Sequence, residues 1–165
     1  MFGSTSMMID DFALARAVHV LALMHWIGGV TMVTTIVLPR ARALSDARAA
    51  LAAFEMFEGR FAAQARFSIL LTGLSGFYML YKLQAWARVL EPAFWWLALM
   101  VAVWAVFALM VFVLEPLLVH RLFSDYALRD KDRAFAWAIR LHAVALTVSA
   151  VAITAGVLGA HGALL

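Results

Sequence analysis

The chain has 165 residues, of which 66% are hydrophobic and only 14% are charged. Soluble domains carry about 45–50% apolar residues and about 25% charge, so the surplus needs lipid around it and an ordinary water-soluble globule is excluded. Thirteen Lys and Arg against 10 Asp and Glu leave +3, too small and dispersed a charge to favour a nucleic-acid partner. With no cysteine, disulfides, thiolate metal sites and cysteine nucleophiles are excluded as well.

In chain order, four stretches approach the roughly 20 apolar residues that carry an α-helix across about 30 Å of hydrocarbon. The first, 17–38, holds no acid or base apart from His19 and His25. Asp10 and Asp11 precede it where a cleaved signal peptide would carry basic residues, and Pro39 stops it. Next comes an amphipathic segment, 46–60, with Ser45 as a candidate cap and Asp46 suited to a positive helix N-terminus. Ala47, Leu51, Phe54 and Phe61 fall near one face, opposite Arg48 and Glu55, so the segment either lies on the membrane or runs into the second span. That span, 67–83, is shorter; the third, 94–118, has Glu115 as its one charge; the fourth, 141–160, carries His142.

Uninterrupted apolarity favours helices over strands, since lipid cannot satisfy an open sheet edge. The expectation is an all-α, antiparallel four-helix transmembrane bundle forming a single domain, with the bilayer as its first partner and span four closing beside span one. Gly28 and Gly29, Gly73 and Gly76, and Gly156 and Gly159 allow close backbone approach. Ten Lys and Arg flank the two loop-side ends, against Arg16, Lys82 and Arg88 on the other. The positive-inside rule then puts both long loops in the cytoplasm and both termini in the periplasm of a bacterial inner membrane, with Trp86, Trp95 and Trp96 as the outer aromatic belt.

Polar side chains at membrane depth are costly and therefore mark candidate sites. Helical side chains lean toward their own N-terminus, which predicts that His19 and His161 converge at the outer end, and His120 and His142 at the inner end. His25 lies deeper, about 120° around the helix from His19, so span one is expected to present two faces. Imidazole is the usual nitrogen ligand for haem iron; His19 is the favoured ligand, with His161 or His25 as the second. At the inner end, Pro116 interrupts the ladder beside Glu115, while Arg40, Arg66 and Arg140 sit at similar depth. They read either as an ion-pair network or as a basic pocket for carboxylates or headgroups, with Glu115, Arg140 and His142 handling anions and protons.

The runs Arg16-Ala17-Val18-His19, Trp26-Ile27-Gly28-Gly29 and Leu38-Pro39-Arg40 resemble the first span of HemJ-type protoporphyrinogen oxidases and of CopD-like four-span proteins. Phe57-Glu58-Gly59-Arg60-Phe61 resembles the segment before the second span of the HemJ type. With Phe112-Val113-Leu114-Glu115-Pro116 and Arg140-Leu141-His142, the chain as a whole is similar to a group of bacterial four-span membrane proteins. The resemblance implies that His19 takes part in binding haem b. In the third span, Trp96 is followed by Leu97, Ala98, Leu99 and Met100, where the HemJ type has a His-x-Lys-type pattern. That departure points to a haem-binding relative of altered function.

The expected function is electron transfer or redox chemistry by a small haem b membrane protein, with quinone, a porphyrin or an oxygen species as reactant. The alternatives are metal handling or transport of CopD-like kind, and a structural subunit of a larger membrane complex. A homo-oligomer or a membrane partner fits any of the three.

Overall fold

The computed structural model describes residues 10–164. It consists of four long helical rods: α1 (Asp11–Arg42), α2 (Ala47–Lys82), α3 (Pro92–Arg129) and α4 (Lys131–Ala160). No strand occurs among the described residues. The rods are joined by short turns, so sequence neighbours run antiparallel. α1 packs on α2 and α4, and α3 packs on α2 and α4, closing the bundle in chain order. The start of α1 and the end of α4 lie at one end; the α1–α2 and α3–α4 turns form the opposite, basic end.

Three of the rods, α1, α3 and α4, are long and apolar enough to cross a membrane. In α2 the apolar stretch is the shorter one, as its sequence indicates, because Gln64, Arg66, Ser68, Thr72 and Ser75 interrupt it. The amphipathic segment does not form a separate helix: residues 47–82 make one rod of 36 residues, about 54 Å long at 1.5 Å per residue. That is longer than the ~30 Å thickness of a bilayer's hydrocarbon. Its cap is Asp46, accepting from Ala49 N at 2.8 Å, and not Ser45. Asp10 and Asp130 cap α1 and α4 in the same way.

Two clusters hold the rods together. In the middle, Trp26 and Val30 of α1 meet Ala65 and Ile69 of α2, with Trp104 and Phe107 of α3 against them; the Trp26 and Phe107 rings meet edge to face at 4.7 Å. At the basic end, Leu38, Ala50 and Phe135 are fully buried, and Phe54, Phe123 and Phe135 form a triangle of rings. Lys131 closes this end by donating to the Arg42 and Leu44 carbonyls at 2.8 and 2.6 Å, which satisfies acceptors left open where α1 stops.

Two rods are locally underwound. α1 is π-helical over Val33–Val37 and α3 over Met110–Val119. Each stretch precedes or contains a proline, Pro39 or Pro116, whose missing N–H breaks the regular ladder.

Candidate functional site

The histidines of α1 are both anchored on α2. His19 Nδ1 lies 2.9 Å from the Thr72 carbonyl and 3.2 Å from Ser75 Oγ. His25 Nδ1 lies 2.7 Å from Ser68 Oγ. Ser68, Thr72 and Ser75 recur at four- and three-residue spacing and are all buried, so α2 turns one hydroxyl-lined face toward α1. Although about 120° separates the two imidazoles around α1, both reach this one helix. Gly76, lacking a side chain, leaves room beside the His19 ring: a Cβ there would sit 3.2 Å from its Cε1.

The hydrogen bonds bear on the ring tautomers. A carbonyl only accepts, so His19 carries its proton on Nδ1 and donates it to Thr72. Ser68 Oγ is within hydrogen-bond distance of both the Gln64 carbonyl, at 3.0 Å, and His25 Nδ1; with its proton on Gln64, its oxygen accepts from His25 Nδ1–H. His142 and His161 donate from Nδ1 to the carbonyls one turn back, Ala138 and Val157, at 2.8 and 2.7 Å. In a neutral ring with Nδ1–H so held, Nε2 is the lone-pair nitrogen, the arrangement in which imidazole binds a metal.

Of the two α1 histidines, His25 faces open space. It lines a cleft of about 320 Å³ between α1 and α2, with Met24, Gly28, Gly29, Met32 and Phe61 around it and Gln64 alongside. Gly28 has no atom within 4 Å of where a Cβ would stand, whereas a Cβ at Gly29 would strike the Phe61 ring. The floor of the cleft is therefore bare backbone, with an aromatic ring at one side. His25, Gln64 and Gly28 are all exposed on the outside of the bundle.

The remaining candidates are distributed elsewhere. His161 is exposed, and its ring bonds within α4; His19 bonds to α2, so the two share no partner. At the basic end His120 pairs with Glu58 of α2 at 3.3 Å, while His142 bonds to its own helix. Burial holds the Glu58 carboxyl above its ordinary range, opposed by His120 and reinforced by the negative charges of Glu115 and Glu55. Arg66 joins Glu115, as an ion pair across the α2–α3 seam; Arg40 and Arg140 are exposed at the same end. Among the described residues, no group of three or more His, Asp or Glu could hold a metal ion. A site here would have to rest on one or two imidazoles.

Sequence reasoning missed Ser68, Thr72, Gln64 and Glu58. The signal was available for the first two: hydroxyls spaced for one helix face, on the most polar of the four rods. No protein-family model, curated protein or solved structure matches the chain.

Proposed function

We propose that the chain is a four-span protein of the bacterial inner membrane that binds haem b and moves electrons. The distribution of Lys and Arg supports a topology with the basic end in the cytoplasm and both termini in the periplasm. The observation that carries the functional reading is His25: its Nδ1–H is held by Ser68, and its Nε2 has no protein partner and belongs to a ring lining the open cleft. The donor chemistry would suit haem iron, for which an imidazole nitrogen is a usual protein ligand, and His25 would be the residue that holds it. The bare backbone at Gly28 and the Phe61 ring suit a flat, apolar macrocycle. The geometry favours His25 over His19 as the ligand, because the His19 ring is packed against α2 at Gly76 and does not line the cleft.

Bound haem would supply a one-electron redox couple. The residues of this chain would bind and tune it. Ser68 orients the imidazole, Met24, Met32 and Phe61 exclude water, and Gln64 offers an amide donor at the edge.

The test is spectroscopic. Protein purified in mild detergent is expected to show a Soret band that shifts on dithionite reduction, to lose it in His25→Ala and to retain most of it in His19→Ala. A colourless protein, or a spectrum indifferent to His25→Ala, overturns the proposal.

A second reading draws on Met24 and Met32 flanking His25 in the same cleft. Thioethers with imidazole suit copper(I), so a colourless protein that retains stoichiometric copper would select metal handling. Absence of both haem and metal would select a structural subunit.

A further inference from the structure

The geometry points to a proton-exchange site at the basic end of the α2–α3 seam, in which His120 takes up a proton from water and hands one to Glu58. The site needs no haem and does not depend on the cleft at His25.

The first observation is the choice of partner. Arg40, Arg60, Arg121 and Arg140 all stand at this end, and a permanent cation is what a structural ion pair uses. Arg66 joins Glu115 in that way. Glu58 has Arg60 two residues on, and Arg121 follows its partner in the chain, yet it pairs with neither. His120 Nδ1 stands 3.3 Å from its Oε2 instead. Imidazole is the side chain that gains and loses a proton near neutral pH.

The second is unequal exposure across the pair. The His120 side chain is 47% accessible and that of Glu58 20%, so the ring meets water while the carboxyl lies in the seam. His120 Nε2 has no hydrogen-bond partner among the described residues, since the ring's one bond is made by Nδ1. The transfer balances within the pair. A solvent proton bonds to Nε2, the Nδ1–H bond breaks, and that proton bonds to Glu58 Oε2. The ring is left neutral with its proton on Nε2, and the carboxylate has become a carboxyl; the reverse path resets both.

The third is the charge around the carboxyl. Residues five apart on an α-helix stand about 140° apart, but the i→i+5 winding of α3 runs up to His120, whose backbone N–H bonds the Glu115 carbonyl. That winding turns Glu115 and His120 toward the same neighbour. Glu115 of α3 and Glu55 of α2 add negative charge at Glu58 and, with its burial, favour the protonated carboxyl; His120 opposes them. No fixed cation of α1 or α4 pairs with it among the described residues. Arg42 and Lys131 are joined to Asp132, and Arg40 and Arg140 are exposed. The carboxyl is thus free to hold the proton it receives.

Nuclear magnetic resonance of the full chain in detergent, with isotope labels in the glutamate carboxyls and histidine rings, tests the site. The Glu58 carboxyl signal is expected to titrate well above the ordinary glutamate value of about 4.3. The His120 nitrogens should change over the same range, because the two groups titrate as a pair, and Glu58→Gln should return His120 to one independent step. At the Glu58 midpoint, relaxation dispersion of its carboxyl carbon gives the rate of proton exchange. His120→Gln still hydrogen-bonds to Glu58 but cannot carry a proton, and should slow that rate by about 10²-fold, the lower end of what a positioned proton donor contributes. His120→Ala should slow it similarly, and free imidazole should restore it. A Glu58 signal that titrates at the ordinary value, independently of His120, overturns the site. An unchanged rate in both variants, or a slowed rate that imidazole fails to restore, overturns His120 as its entrance.

Discussion

Arg66 of α2 donates to Glu115 of α3 at 2.5 Å, and its Nε reaches the Val111 carbonyl one turn earlier at 3.3 Å. The second bond follows from Pro116. In the i→i+5 winding of Met110–Val119, the partner of the Val111 carbonyl is the nitrogen of residue 116, which in proline has no hydrogen. The arginine supplies the missing donor from the neighbouring helix. Replacing an interior helical proline by alanine ordinarily gains about 3 kcal/mol. Pro116→Ala is expected to gain far less, because the restored backbone N–H displaces Arg66 from Val111. Thermal unfolding in detergent reads this; a gain near the full amount would show that the arginine contact contributes nothing.

The ion pair itself is intermediate between exposed and buried, with side chains 37% and 22% accessible. Exposed pairs contribute up to about 1 kcal/mol, and breaking a buried one costs about 3–5 kcal/mol. Arg66→Met should therefore destabilise by roughly 1–2 kcal/mol, and Arg66→Met with Glu115→Leu by less than the two single losses together. Strict additivity in the double-mutant cycle would remove the coupling.

Glu58 makes stability fall with pH at the basic end. Burial holds its carboxyl above the ordinary range, so the folded protein retains a proton that the unfolded chain has already released. Between those two values the folded state binds more protons, and stability decreases as pH rises through them. Glu58→Gln should flatten this descent. His120→Ala should move it to higher pH, because His120 is the group that stabilises the carboxylate. Melting temperatures across an acid-to-neutral series test both; a Glu58→Gln profile parallel to the parent would exclude Glu58 as the source.

Small residues in the rods have unequal duties. A Cβ at Gly73 would run into the Trp104 ring, and Trp104 uses that closeness to donate from Nε1 to the Ile69 carbonyl at 2.9 Å. Gly73→Ala is expected to cost about 1–3 kcal/mol through overpacking. Gly28→Ala adds a methyl to open space and should be neutral or gain up to about 1 kcal/mol of helix propensity. Equal melting shifts for the two variants would contradict the packing of α2 on α3.

The bundle was legible because bilayer length and apolar runs are physically coupled. Spans 17–38, 94–118 and 141–160 reappear inside α1, α3 and α4. What composition could not supply was the pairing of polar groups between rods. His19 and His25 read as two faces of a helix in isolation, yet both end on α2, because its hydroxyl face is broad enough to receive rings about 120° apart. The arginines at the ends of the spans read as one undifferentiated basic zone. Only the register of α2 against α3 singles out Arg66, and only the proline-induced winding exposes the second acceptor it uses.

Ser68 offers the sharpest check on how the cleft imidazole is prepared. With its hydroxyl proton on the Gln64 carbonyl, its oxygen accepts from His25 Nδ1–H and orients that ring. Outer groups of this kind are worth about 10–100-fold in affinity at metal sites. If the proposed haem binds here, Ser68→Ala is expected to weaken its retention by about that factor and broaden the Soret band, while Ser68→Thr, which keeps the hydroxyl, restores most of it. Thr72→Ala provides the contrast, since His19 bonds to the backbone carbonyl at that position and not to the side chain. Haem titration of the three variants decides the matter: equal losses in Ser68→Ala and Thr72→Ala would mean that the hydroxyl at 68 supports the helix pair and not the imidazole.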